Sequence, residues 1–151
     1  MTNFMLEIKV KTFQELTIQE LYDSLQLRSE IFVVEQDCVY QDLDGKDQKS
    51  LHVLGFKNNK IIAYTRIFKP GDYFEEASIG RVVVKKNERQ YKYGYDIMKA
   101  SIEAIKNHFN ETKIKISAQI YLKQFYNNLG FKEIGDLYLE DDIPHITMTR
   151  E

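Results

Sequence analysis

The segment that most constrains this chain runs Ile79-Gly80-Arg81-Val82-Val83-Val84, then Arg89-Gln90-Tyr91-Lys92-Tyr93-Gly94-Tyr95, and then a helical pattern to Phe109. A valine-rich strand feeding a short basic loop and a helix start presents backbone N–H groups at the positive end of a helix dipole, a standard physical solution for holding phosphate. The loop therefore points to a phosphorylated ligand. Arg89 and Lys92 add positive charge, and Gly94, lacking a Cβ, lets a backbone or a phosphate come close. A solvated helix start is the other reading of the same residues.

Around this segment the pattern alternates between strands and helices without repeats or a flexible linker. Phe4 to Thr12 has the period-2 alternation of a half-buried strand. Thr17 with Glu20 makes a capping box, and Leu21, Leu25, Arg28 and Phe32 continue a helix to about Gln36. Leu51 to Phe56 and Lys60 to Phe68 read as a hairpin turned by Asn58-Asn59, and Ala77 to Val84 as the next strand. Met98, Ile102, Ile105 and Phe109 make the apolar stripe of the helix behind the basic loop. Lys113 to Ser117 is a further strand, and Leu122, Phe125, Tyr126 and Leu129 share one face of a short helix that Gly130 ends with a left-handed cap. Phe131 to Leu139 and Ile143 to Met148 close the chain as strands joined by an acidic turn containing Pro144. The order predicts an α/β or α+β single domain over residues 1–151, built on one mixed sheet.

Several classes of function are excluded by composition. A net charge of −2 provides no global field for nucleic acid or an anionic membrane. No apolar run approaches the length of about 18 that spans a bilayer, and Met1 to Lys11 has no signal-peptide core. Cys38 is the one cysteine, so there is no intrachain disulfide and no cysteine-based zinc site. A cytoplasmic protein without a metal is expected. Asp42, Asp44 and Asp47 read as a solvated acidic loop, or else as an attractor for a cationic ligand. Gly45 comes too early for a calcium loop.

Gly80 to Gly94, and Gln119 to Phe131 with its Phe125-Tyr126-Asn127-Asn128-Leu129-Gly130-Phe131 ending, resemble the acetyl-CoA-binding core of the GCN5-related N-acetyltransferases. That family's phosphate loop reads R/Q-x-x-G-x-G/A; Arg89 fills its first position and Gly94 its last, while Lys92 stands where the first glycine is usual. The resemblance extends to the ElaA-like subgroup through Leu27-Arg28, Phe32 to Gln36, Tyr40-Gln41-Asp42, Asp44-Gly45, His52, Ile79 to Val84 and Ile143 to Ile146. It implies a mostly antiparallel central sheet, splayed at a cofactor cleft and flanked by helices. It also implies an N-acetyltransferase in which acetyl-CoA is attacked directly by a primary amine of a small molecule or peptide.

The resemblance also assigns roles. Pantetheine would pair with main-chain groups of Val82 and Val84 beside Val83 in the manner of an added strand, and residues Arg89 to Tyr95 would receive the diphosphate. Lys85, Lys86 and Lys99 are either contacts for the outer phosphate of CoA or ordinary solvated lysines. Tyr126 would donate a proton to the departing thiolate, since a phenol titrating near 10 stays protonated at neutral pH. The Gln119 amide would bond pantetheine or the helix start. Glu35, His52 and His145 are candidates for the base and, with Arg81, for the acceptor site; Glu35 and His52 are preferred over His145, and a water relay serves equally. A noncatalytic acyl-CoA sensor and an enzyme like the acyl-homoserine-lactone synthases are the alternatives. A homodimer is left open.

Overall fold

The structure, a computed structural model, describes residues 6–151. Strand β1 spans Glu7–Thr12, and the Phe4 and Met5 part of the expected strand lies outside the described residues. Helix α1, Ile18–Arg28, opens on the expected capping box: the Thr17 hydroxyl accepts from the Glu20 N–H at 3.0 Å, and the Glu20 carboxylate accepts from the Thr17 N–H at 2.9 Å. It continues as a wider π-helical stretch over Ser29–Glu35, where the Gln36 N–H reaches five residues back to the Ile31 carbonyl. Such widened turns re-aim side chains and are frequent at functional sites.

Strands β2 (Leu51–Lys57) and β3 (Lys60–Phe68) form the predicted hairpin, with both Asn58 and Asn59 at positive φ. Strand β4 is Ala77–Val84, and after a short 3-10 turn helix α2 runs Tyr93–Phe109. Then come β5 (Ile114–Gln119), α3 (Lys123–Asn127), β6 (Lys132–Glu140) and β7 (Ile143–Arg150). After α3, Gly130 sits at φ +92° and the Phe131 N–H returns to the Tyr126 carbonyl, the Schellman closure that the glycine predicts. The β6–β7 turn is Asp141-Asp142, both at positive φ; Pro144, read from the sequence as part of the turn, lies inside β7 opposite Leu139.

Among the described residues, seven strands form one sheet in the order β1-β2-β3-β4-β5-β7-β6, in which only β4 and β5 are parallel. One face packs on α2 through a core that includes Val53, Ile67, Ile79, Ile97, Met98, Ile105, Ile116 and Met148. A buried Thr65–Ser101 hydrogen bond of 2.6 Å ties α2 to β3. Ser101 Oγ also donates to the Ile97 carbonyl, so Thr65 is the donor of that pair. The opposite face packs on α1 through a smaller core of Leu27, Ile31, Leu54, Phe56, Tyr64 and Val83.

Two features of β4 create the site. Its pairing with β5 is confined to Ala77↔Ile114 and Ser78↔Lys115, so the β4 edge from Ile79 onward has no strand partner on that side. In addition, Arg66 faces Gly80 while Tyr64 faces Val83, so Arg81 and Val82 together oppose Thr65 in a bulge with Arg81 at φ +51°. A left-handed conformation at a residue with a Cβ costs about 1–2 kcal/mol and must be held by its surroundings. The Arg81 guanidinium supplies that hold: its Nη2 donates to the Asp42 carbonyl at 2.8 Å, and its Nε lies 2.7 Å from Asp42 Oδ1.

Candidate active site

The gap between β4 and β5 opens into a cavity of about 470 Å3 that runs through the sheet. Side chains alternate along a strand, so the two sheet faces contribute different walls. On the α2 face lie Ile79, Val82, Val84, Gly94, Tyr95, Ile116, Phe125 and Tyr126, an apolar and aromatic chamber. On the α1 face lie Arg66, Arg81, Ser117, Gln119, Glu140 and His145, a polar chamber roofed by Gln36, Cys38 and Tyr40. The roof is fastened to the far side by reciprocal Gln36–Gln119 amide hydrogen bonds of 3.3 and 3.4 Å and by the Cys38 thiol, whose sulfur is 3.5 Å from the Asp141 carbonyl. Gln119 therefore spans the mouth of the cleft.

At the α2 end of the cavity, the helix starts from Lys92 with no side-chain cap. The Tyr95 N–H returns to the Lys92 carbonyl at 3.1 Å, while the Tyr93 and Gly94 N–H groups make no such bond among the described residues, an anion-receptive arrangement. Lys92 sits at φ +61°, ψ +30°, a left-handed turn into the helix that glycine would adopt at less cost. Gly94 serves a different neighbour from the one expected: a Cβ on it would meet the Phe125 ring at 3.3 Å, so its bareness lets α3 close onto the helix start. Tyr93 is turned into the core and Val83 onto the α1 face, while Gln90 and Tyr91 are exposed outside the cavity wall.

Tyr126 lines the cavity with its ring edge-on to Phe125 and Phe131 at 5.0 and 6.0 Å, and no hydrogen bond engages its hydroxyl among the described residues. Burial, with Tyr121 nearby, pushes its pKa well above that of a free phenol, so it stays protonated and able to donate.

The sequence-derived bases are placed differently. Glu35 makes a two-pronged ion pair with Arg89 at 2.7 and 3.0 Å, while Arg89 Nε donates to the Val84 carbonyl at 3.2 Å. This ties the end of the π-helical stretch to the end of β4 and leaves Glu35 outside the cavity wall. His52 is 1% exposed and also off the wall. Its Nε2 donates to the Asp47 carbonyl at 3.0 Å, which fixes the tautomer, and its Nδ1 accepts from the Tyr64 hydroxyl at 2.6 Å. With both nitrogens engaged, His52 is a structural histidine here. Of the three, His145 lines the cavity.

The acidic loop is likewise not solvated. Asp42 and Asp47 are buried, and Arg28 is 1% exposed between them, with Nε 2.9 Å from Asp42 and Nη1 2.9 Å from Asp47. Arg66, also buried, pairs with Asp47 and grips Asp44 with two N–H groups at 2.8 and 2.6 Å. Burial alone would raise the Asp44 pKa, but the Arg66 fork overrides it and holds the carboxylate far below its usual range. Three arginines and three aspartates thus cancel, pinning the irregular loop after α1 beneath the bulge. Arg66 belongs to this cluster and to the cavity wall; nothing in its local sequence distinguishes it from any strand arginine.

A pH dependence follows from His52. Burial, aided by Arg28 and Arg66, lowers its pKa below the ordinary 6.5, so the unfolded chain binds that proton more readily than the fold does. The stability tied to neutral His52 is fully present above about pH 6.5 and is lost as pH falls below it. Urea midpoints are expected to drop between about pH 7.5 and about pH 5.5 in the wild type, and to drop less in His52→Gln. An equal drop in both would remove His52 from the response.

The comparisons with known proteins agree with this geometry. The family model for the acetyltransferase (GNAT) domain matches residues 14–151. Protein ElaA of Escherichia coli strain K12 is 43% identical over 139 residues, covering 91% of each chain. The crystal structure of Escherichia coli ElaA superposes with a TM-score of 0.90 at 41% identity, covering 97% of this chain and 100% of that one. An acyl-CoA N-acyltransferase from Pseudomonas aeruginosa does so with a TM-score of 0.90 at 38% identity and the same coverage. With the family model matching nearly the whole chain and relatives at about 40% identity sharing the fold, the chain belongs to the GNAT acetyltransferase family as an ElaA-like member.

Proposed function

We propose that the protein transfers an acetyl group from acetyl-CoA to a primary amine. The carrying observation is the unpaired β4 edge from Ile79 to Val84, inside a cavity that ends at the uncapped start of α2. An extended pantetheine arm fits that edge as an added strand, bonding main-chain groups of Val82 and Val84, and the diphosphate fits the N–H groups after Lys92. Arg89 is committed to Glu35 and Val84, so the phosphate grip rests on backbone groups and Lys92. The donor thioester then reaches the gap between the two chambers, with the acceptor entering from the polar one. Tyr126, neutral and with a free hydroxyl, donates to the thiolate as the C–S bond breaks.

Acetyl-CoA is expected to stabilise the fold by about 2.7 kcal/mol at a hundredfold excess over its dissociation constant. Gly94→Glu, which drives a charged side chain toward Phe125 and the helix start, is expected to abolish that shift. Unchanged calorimetric affinity in a folded Gly94→Glu would take the loop out of the donor site. A noncatalytic acyl-CoA sensor is distinguished by turnover: it would bind acetyl-CoA and release no CoA across a broad screen of amines.

A further inference from the structure

His145, the candidate base that lines the cavity, faces Glu140 in the polar chamber, a residue that the sequence did not single out. The imidazole of His145 has a side-chain exposure of 7%, and its Nδ1 lies 2.6 Å from the Ile143 carbonyl. A carbonyl can only accept, so Nδ1 carries the proton and the lone pair of neutral His145 is on Nε2. That nitrogen has no hydrogen bond among the described residues; its neighbour is Glu140 Oε2 at 3.4 Å. Tyr138 stacks on the ring at 6.0 Å and fixes its plane, and Ser117 contacts the Tyr138 hydroxyl and, at 3.5 Å, Glu140 Oε1.

The charge balance of the chamber isolates this pair. Arg66 and Arg81, the cations on that wall, are already neutralised by Asp42, Asp44 and Asp47. Glu140 has no Arg or Lys partner among the described residues. The titratable groups near the pair are Tyr138 from β6, Asp141 from the turn, Tyr73 from the β3–β4 loop and Cys38 from the roof; β5 contributes the neutral Ser117 and Gln119. The polar chamber thus keeps uncompensated negative charge beside a buried imidazole lone pair.

We propose that Glu140 and His145 are the ammonium-receiving pair of the acceptor site: Glu140 pairs with the incoming R–NH3+, and His145 Nε2 takes the proton that frees its lone pair. The inference rests on the acetyl-transfer reading above. The freed amine attacks the thioester carbon, the C–N bond forms and the C–S bond breaks. The thiolate takes a proton from Tyr126, which recovers one from the attacking nitrogen, and His145 passes the other proton to solvent. The acceptor class follows: a cationic primary amine without a carboxylate close to it, because an acceptor carboxylate would meet Glu140.

The test is steady-state CoA release with n-pentylamine and with 2-aminopentanoate, whose carboxylate adjoins the amine, in wild type, Glu140→Gln and His145→Gln. Glu140 is half-exposed, and removing its charge is expected to raise the KM for pentylamine about fivefold with little change in kcat. Wild type is expected to prefer pentylamine over aminopentanoate, and Glu140→Gln to narrow that preference. His145→Gln is expected to lower kcat about 10²-fold near neutral pH and to recover as pH approaches the pKa of the amine. Wild-type kcat and pH profile in His145→Gln, or unchanged KM and preference in Glu140→Gln, would overturn the pair. Calorimetric titration of pentylamine into the CoA-bound protein separates the two readings. Binding lost in Glu140→Gln without any turnover in wild type retains the pair and removes acetyl transfer, whereas turnover with no effect of either substitution removes the pair alone.

Discussion

Tyr126→Phe is expected to release CoA about 10²- to 10⁴-fold more slowly than wild type, with acetyl-CoA affinity and stability nearly unchanged. The substitution removes one oxygen, and that oxygen has no hydrogen bond to lose among the described residues. The ring contacts with Phe125 and Phe131 remain, so packing is preserved. In the proposed mechanism what is lost is the proton delivered to a thiolate leaving in a chamber walled by Val82, Val84 and Phe125, where water is a poor substitute. The decisive measurement uses an amine for which chemistry, rather than product release, limits turnover. Wild-type rates under that condition would remove Tyr126 from the proton path.

Arg28→Met is expected to cost about 3–5 kcal/mol of unfolding free energy, far more than a surface ion pair contributes. Arg28 is 1% exposed and lies between Asp42 and Asp47, whose side chains are 4% and 9% exposed. Removing it leaves two buried carboxylates with less counter-charge, and loosens the Asp42 contacts that hold Arg81 in its left-handed bulge. The effect should appear as a lower urea midpoint with an unchanged slope, and it should be partly relieved by adding Asp47→Asn, which removes a stranded charge. A loss below about 1 kcal/mol would mean that water or Arg66 reaches both carboxylates after the change. Donor affinity should fall as well, since the bulge is what parts β4 from β5.

The elements were largely legible because they are written in local periodicity. The capping box at Thr17, the Asn58-Asn59 turn, the α2 stripe and the Gly130 cap are each set by residues within a few positions of one another, and each formed as read. Resemblance extended this to the family. The loop at Asp42 to Asp47 was misread for the converse reason: three aspartates in a polar stretch look solvated until Arg28, Arg66 and Arg81 are brought to them from a helix and two strands.

The same distinction governs the site. The chain by itself determined a strand, a basic loop and a helix start able to hold a phosphorylated ligand, because those three pieces are consecutive. Only the tertiary structure decided which polar residues face the cleft. It turned His52 into the α1 core, fastened Glu35 to Arg89, and set His145 of β7 against Glu140 of β6. Strand register and the bulge at Arg81 fix these choices, and both arise from pairing between segments far apart in sequence, where a shift of one residue would send every side chain to the opposite face.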